Sequence, residues 1–241
     1  MSNTFFLDGA EIPFREGQTV LQAALAAGQY IPHLCWRPRL EPHSSCRLCT
    51  VIINGRPFSS CTQPAMKGQS VACDTPELQA LRRAVLQMVF VEGNHYCPAC
   101  EVSGNCRLQA TAYHLGLHDN RFPQQFPVRE RDSSHPDVNM DRDRCIRCET
   151  CVRASRDLDG KNVFGIHGRG IHSKLAVNSP SGLLKDTDVA AEDQAVAMCP
   201  TGCLTVKRVG FKVPIGERTY DMESVVSVAL KEFREQEAAH G

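Results

Sequence analysis

The first 75 residues alternate short apolar runs with turn residues and contain one helical stripe. Asp8-Gly9 and Asn54-Gly55 each separate two apolar runs, and both dipeptides favour the tight turns of β-hairpins. Between the hairpins, apolar side chains recur three and four positions apart and stop at Gly28, which predicts a helix. The predicted elements are strands at 4–7, 10–14, 50–54, 56–59 and 70–73, and a helix at 18–28.

A second amphipathic stretch covers residues 76–91. Thr75 is its predicted N-cap and Pro76 takes the first helical position, where a missing N–H costs little. Its apolar positions predict a helix that packs in a core. They are Leu78, Leu81, Val85, Met88 and Val89.

The C-terminal half has weaker patterns. Residues 121–139 are rich in Pro, Arg and Asp without a period, so we expect a connecting segment on the surface. A final amphipathic helix is predicted from Asp221, its N-cap, to Glu237, and it could cap the last domain or dock on a partner. The other predicted elements are strands at 162–166 and 171–177 and a short helix at 192–198.

Composition limits the class of protein. The chain has 241 residues, enough for two or three small domains, and 27 basic residues balance 27 acidic ones. A net charge of zero argues against general nucleic-acid binding. No apolar run is long enough to span a membrane, and no export signal is evident at the N-terminus, so we expect a cytoplasmic protein. Thirteen cysteines in such a chain indicate metal ligation rather than disulfides.

The first cysteine group is Cys35, Cys46, Cys49 and Cys61. Four thiolates on a loop in this pattern predict a 2Fe–2S cluster. Structural zinc is the alternative for every cysteine group, but it usually takes two C-x2-C pairs, and this group has one. Cys73 is left over and is expected to be a small buried thiol.

The second group supplies three thiolates, from Cys97, Cys100 and Cys106. A fourth ligand has to come from elsewhere, and His95 is the nearest candidate. The alternatives are His33, His114 and Cys73.

The third group begins with Cys145, Cys148 and Cys151 and is completed by Cys199, which Pro200 follows. It is similar to the C-x2-C-x2-C-x3-C-P run of bacterial ferredoxins. Ser155 stands where the run's fourth cysteine would be, so we expect a single 4Fe–4S cluster. Cys203 could replace Cys199, although the proline favours Cys199.

These motifs support resemblances to known families. The hairpin, helix, cysteine loop and second hairpin resemble a plant-type ferredoxin. The longer first loop resembles the N-terminal cluster domain of the complex I large iron–sulfur subunit and of iron-only hydrogenases. In those families a motif of one histidine and three cysteines holds a 4Fe–4S cluster, which implies His95 as the fourth ligand. The family motif has three residues between the histidine and the first cysteine, whereas here only Tyr96 intervenes.

The whole order of motifs resembles the small diaphorase subunits of cytoplasmic NAD-reducing nickel–iron hydrogenases. That resemblance implies an α+β fold with an N-terminal β-grasp 2Fe–2S ferredoxin-like domain. A small helical 4Fe–4S domain and a C-terminal ferredoxin-like 4Fe–4S domain would follow. The expected divisions are 1–75 for the first domain, 76–120 for the histidine-ligated domain, 121–139 for the connecting segment, 140–210 for the third domain and 211–241 for a C-terminal extension.

The resemblance also implies a role. The chain would carry single electrons through one 2Fe–2S and two 4Fe–4S clusters, between a flavin- and NAD-binding diaphorase partner and the small and large hydrogenase subunits. FMN, NAD and the nickel–iron site would belong to those partners, and this chain would contain no catalytic residue. The alternatives are the equivalent subunit of an NAD-linked formate dehydrogenase or complex I-like assembly, a radical enzyme using the three-cysteine group, and a zinc-stabilised scaffold.

Overall fold

The computed structural model describes residues 3–240, with side chains to residue 238. Its N-terminal part is a five-stranded sheet with strand order β2-β1-β5-β3-β4, covered by helix α1. Among the described strands of this sheet, only β1 and β5 pair in parallel. The elements are β1 (Thr4–Leu7), β2 (Ala10–Pro13), α1 (Val20–Ala26), β3 (Thr50–Ile53), β4 (Arg56–Ser59) and β5 (Ser70–Ala72). All five predicted strands and the helix are confirmed, with ends differing by one or two residues.

Local sequence explains these elements. Asp8 and Gly9 have φ of 48° and 87°, and Asn54 and Gly55 have φ of 50° and 76°, as the tight turns of β-hairpins require. Thr19 caps α1 by accepting a hydrogen bond from the Gln22 N–H, and the Gln22 side chain accepts one from the Thr19 N–H.

Two helices follow: α2 (Pro76–Glu92) and α3 (Arg107–His114), with a 3₁₀ turn at Cys97–Ala99 between them. Thr75 caps α2, as predicted. The predicted core face of α2 is partly wrong, because Leu81 and Met88 are exposed while Leu78, Arg82 and Leu86 are buried. The helix turns Arg82 inward because its guanidinium bonds the carbonyl oxygens of Leu48, Thr50 and Cys73.

The next part contains a three-stranded antiparallel sheet of order β10-β7-β6 and the hairpin β8–β9. Its elements are β6 (Arg131–Asp132), β7 (Val138–Asp141), α4 (Thr150–Asp157), β8 (Phe164–His167), β9 (Lys174–Val177), α5 (Gln194–Ala197) and β10 (Leu204–Val206). The expectation that 121–139 is only a surface connection is therefore wrong at its end. Val138 is fully buried because β7 pairs with β10, a partner that local sequence does not reveal.

The C-terminus forms two helices, α6 (Thr219–Met222) and α7 (Val225–His240), rather than the predicted single helix. Asp221 does not cap α7, because it lies inside α6, where its carboxylate accepts hydrogen bonds from Arg218 and Gly216. α7 returns to the first domain, where Phe233 joins the core beside Trp36, with ring centroids 6.3 Å apart. The prediction that this helix caps the last domain is therefore wrong. Within residues 3–240, no helix has the length and apolar character needed to cross a membrane.

Candidate metal centres

The first cysteine group lies on the loop between α1 and β3 and directly after β4. The Cys35 and Cys46 sulfurs form a hydrogen-bonded pair, and so do those of Cys49 and Cys61. The Cys46 backbone N–H also donates to Cys35 Sγ at 3.4 Å. Cys35, Cys49 and Cys61 are almost inaccessible to solvent. The fold thus brings all four predicted ligands of this site into two neighbouring pairs.

The thiols of this site differ in acidity. The hydrogen bond from Cys46 is the main reason that the pKa of Cys35 falls to about 6, and the positive charge of Arg153 contributes. The same bond raises the pKa of Cys46, and a bond to Cys61 raises that of Cys49. Because the thiolate is the form that binds metal, the lowered pKa of Cys35 favours its ligating form.

The second group surrounds a small cavity between the end of α2 and the start of α3. His95, Cys97, Cys100 and Cys106 all line it. The buried Nε2 atom of His95 has no hydrogen-bond partner. Burial, followed by the charges of Arg144 and Arg129, lowers the pKa of His95 to about 4, so the imidazole is neutral. A neutral, unpartnered imidazole nitrogen beside three thiols fits a metal-ligating role.

The alternative fourth ligands do not line this cavity. His33 is buried against Trp36, with ring centroids 5.3 Å apart. Cys73 accepts a hydrogen bond from Arg82, and its carbonyl oxygen bonds the same guanidinium. His114 is exposed and borders a neighbouring groove.

The third group lines a small cavity, to which five cysteines contribute: Cys145, Cys148, Cys151, Cys199 and Cys203. Arg147, which has a left-handed φ of 52°, turns its N–H toward Cys145 Sγ at 3.4 Å. The Cys203 thiol donates a hydrogen bond to the Cys145 sulfur, and that bond is the main reason that the pKa of Cys145 falls to about 7. Both candidates for the fourth ligand, Cys199 and Cys203, therefore lie at the site.

The second and third sites share residues that sequence reasoning did not single out. The Pro200 carbonyl accepts hydrogen bonds from the Leu108 N–H at 3.2 Å and from the Cys106 thiol at 3.6 Å. Gly202 lines the second cavity, and a Cβ there would lie 2.8 Å from Val102 Cγ2. The one sequence signal for Gly202 was its position between Cys199 and Cys203.

The donor groups are spread around these cavities. Among the side chains that the structure describes, no three or more of the His, Cys, Asp and Glu residues are grouped so as to hold a single metal ion.

Three family profiles match the parts of the chain that contain these cysteine groups. A profile described as "2Fe-2S iron-sulfur cluster binding domain" matches residues 2–76. One described as "NADH-ubiquinone oxidoreductase-G iron-sulfur binding region" matches residues 82–121. A third, "4Fe-4S single cluster domain", matches residues 138–206.

Individual proteins are also similar. The gamma subunit of the NAD-reducing hydrogenase HoxS of Cupriavidus necator is 39% identical over 232 residues, which cover 96% of this chain and 98% of that subunit. An NADH-quinone oxidoreductase subunit of Rickettsia prowazekii is 31% identical over 226 residues, but the chain spans only 32% of its length.

A solved structure is similar over nearly the whole chain. It is the crystal structure of an NAD⁺-reducing [NiFe]-hydrogenase in the H₂-reduced state, in which one chain is 50% identical, with a TM-score of 0.93. The match covers 97% of this chain and 99% of that one. The resemblance inferred from the order of the cysteine motifs is confirmed, and this chain belongs to the family of NAD-reducing hydrogenase gamma subunits, with iron–sulfur domains of the 2Fe–2S and 4Fe–4S types.

Proposed function

We propose that this chain relays single electrons through one 2Fe–2S and two 4Fe–4S clusters, between a flavin- and NAD-binding partner and a nickel–iron hydrogenase partner. The overall reaction of the assembly would be the reduction of NAD⁺ by H₂ and its reverse. The main support for the proposal is that the three donor groups lie around one shared apolar cluster. The buried leucines Leu34, Leu48, Leu86 and Leu108 form an apolar cluster touched by Cys46 of the first site, Cys106 of the second, and Ile146, which follows Cys145 of the third.

The proposed ligands are those expected from the sequence. They are Cys35, Cys46, Cys49 and Cys61 for the 2Fe–2S cluster; His95, Cys97, Cys100 and Cys106 for one 4Fe–4S cluster; and Cys145, Cys148, Cys151 and Cys199 for the other. The unpartnered Nε2 of His95 supports its inclusion. Pro200 directly after Cys199, as in the cysteine run of bacterial ferredoxins, supports Cys199 as the fourth ligand, and Cys203 lines the same cavity.

The proposed domains follow the expected divisions, with one adjustment. A β-grasp domain covers residues 1–75, the histidine-ligated domain 76–120, the connecting segment 121–139, the third domain 140–210 and the extension 211–241. The pairing of β7 with β10 supports moving the start of the third domain to about residue 131, where β6 begins.

The chain's own residues would bind the clusters and tune them. Each cluster would supply one-electron redox chemistry when bound. Burial keeps water from the sulfurs, backbone N–H groups donate to Cys35 and Cys145, and a neutral histidine carries one negative charge less than a thiolate. Hydrogen bonds, ligand charge and exposure are the factors that set cluster potentials.

The hydrogenase assignment is favoured over a formate dehydrogenase or complex I-like subunit by the extent of the matches. This chain and the hydrogenase gamma subunit match over nearly their full lengths, whereas the quinone oxidoreductase relative is about three times as long as the matched region. Co-purification of the chain with its partners, followed by assays of NAD⁺ reduction with H₂ and with formate, would separate these assemblies.

Metal analysis tests the relay itself. On anaerobically purified chain we expect about ten irons and about as many acid-labile sulfides, from one 2Fe–2S and two 4Fe–4S clusters. About six irons would mean that one 4Fe–4S site is absent, and the second site would then be the first to re-examine. Zinc with little sulfide would contradict the relay and support the zinc scaffold.

A further inference from the structure

Arg153 connects the ligand loops of the first and third sites. It lies on α4, one turn after Cys148, and is 5% exposed. Its Nη2 donates to the carbonyl oxygen of Cys35 at 2.7 Å and to that of Cys148 at 3.4 Å. Its Nη1 donates to the carbonyl oxygen of Glu41 at 2.6 Å. One guanidinium thus binds the backbone of a cysteine in the first group and of a cysteine in the third group.

The charge of Arg153 has no direct counter-ion among the described residues. All its hydrogen-bond acceptors are backbone carbonyls, it forms no salt bridge within residues 3–240, and its buried Nε has no partner. The carboxylate that feels its charge, Asp157, is exposed and already paired with Arg156. A buried cation without an anionic partner is costly, so a compensating negative charge is expected nearby.

We propose that Arg153 is a positioning residue shared by two clusters: its charge stabilises the reduced forms of the first and third clusters together. The inference rests on the clusters proposed for those sites. Each cluster gains one electron on reduction and loses one electron on oxidation. Arg153 forms and breaks no covalent bond in either step, and it keeps its proton.

The physical reason is electrostatic. An added electron makes a thiolate-ligated cluster more negative, and a fixed cation in a medium of low dielectric constant favours that state. Arg153 contacts the backbone of Cys35 and Cys148 at the same time, so its charge acts on both sites. Its planar fork also holds the two loops at one separation, which the single ammonium of a lysine cannot do in the same way.

The test is a redox titration of the anaerobically purified full-length chain, followed by electron paramagnetic resonance, with iron content measured on each sample. In Arg153→Gln we expect the equilibrium constant for one-electron reduction to fall at least tenfold at both clusters, a shift of about 59 mV. Arg156→Gln is the matched control, because Arg156 lies on the same helix but is exposed and paired with Asp157. It should move neither potential.

Arg153→Lys separates charge from geometry. It should keep both potentials within about 59 mV of the parent, a tenfold change in the equilibrium constant. If Arg153→Lys shifts them as far as Arg153→Gln does, charge is not the cause and the proposal is wrong. If Arg153→Gln fails to hold iron, Arg153→Lys decides alone: retained potentials support the proposal, and a tenfold or larger change overturns it.

Other outcomes also contradict the inference. A fully iron-loaded Arg153→Gln in which only one potential moves, or neither does, rules out a shared cation. A shift of equal size in Arg156→Gln would indicate an effect of net charge alone. Failure of the proposed function is distinguishable, because the parent chain would then lack one of the two cluster signals before any substitution is made.

Discussion

Five cysteine thiols line the third cavity, one more than a cluster with four cysteine ligands needs. Cys203 is 2% exposed, and its thiol donates to the Cys145 sulfur. Cys199 lines the same cavity, so position in the cavity does not separate these two cysteines. At the scale of single residues, the proline that follows Cys199 is the feature that favours Cys199 over Cys203 as the fourth ligand.

We predict that Cys203→Ala retains about ten irons per chain, whereas Cys199→Ala loses about four. The reason is that Cys199 is the proposed fourth ligand and Cys203 a donor to Cys145. Iron and sulfide analysis of both variants measures this directly. The reverse pattern, with iron lost only in Cys203→Ala, would exchange the two roles.

The histidines provide a second comparison at this scale. His95→Ala should remove the ligand of the second cluster and lower the iron content from about ten to about six. His114→Ala is the control, because His114 is exposed and lies outside the second cavity. Equal iron in His95→Ala and the parent would show that another group completes the site.

At the scale of elements, α7 is the helix whose position matters most. It extends from residue 225 and contributes Phe233 to the core of the first domain, more than a hundred residues away in sequence. Glu232 on the same helix pairs with Arg37 and with the buried Arg107. One helix thus ties the first domain to α3, and the end of the chain stabilises its beginning.

Truncating Phe233 tests that connection. Phe233→Ala should lower the free energy of unfolding by about 3–5 kcal/mol, because a buried aromatic ring is replaced by a cavity. Phe211→Ala should change it by no more than about 0.5 kcal/mol, since Phe211 is 71% exposed. Urea unfolding of the iron-loaded chain measures both, and equal midpoints for the two variants would mean that α7 does not stabilise the first domain.

At the scale of the whole molecule, the three candidate sites have separate cysteines but share an interior. The loop carrying Cys35 packs against α4 through Arg153, and the segment after Cys199 packs against α3 through Pro200. The third site therefore contacts the surroundings of both others. This arrangement supports passage of electrons among all three within one chain.

Cys46→Ser tests how independent the sites are. It should remove the signal of the 2Fe–2S cluster and leave both 4Fe–4S signals, with about eight irons, because each site has its own ligands. Cys73 is a buried cysteine outside the three groups, so Cys73→Ser should retain about ten irons per chain. Spectroscopy with iron analysis measures both variants, and loss of all three signals in Cys46→Ser would mean that the domains do not fold separately.

Much of this protein could be predicted from features that lie close together in sequence. The C-x2-C and C-x5-C spacings indicated three sites, because cysteines a few residues apart on one loop lie close together whatever the rest of the chain does. Asp8-Gly9, Asn54-Gly55 and Thr75 predicted turns and a cap correctly, since these depend on neighbouring backbone groups. Such interactions are complete within a few residues.

The tertiary structure decided what depends on distant contacts. Leu81 was predicted to be buried, yet α2 instead buries Arg82, because carbonyl acceptors from the first domain meet it there. Arg153 and Cys35 are 118 positions apart, so no local period could pair them. By itself, the sequence determined which cysteines are grouped on each loop, and it left the fourth ligand open at the second and third sites. Only packing decided which buried charges lie beside them, because burial and electrostatics depend on everything that surrounds a side chain.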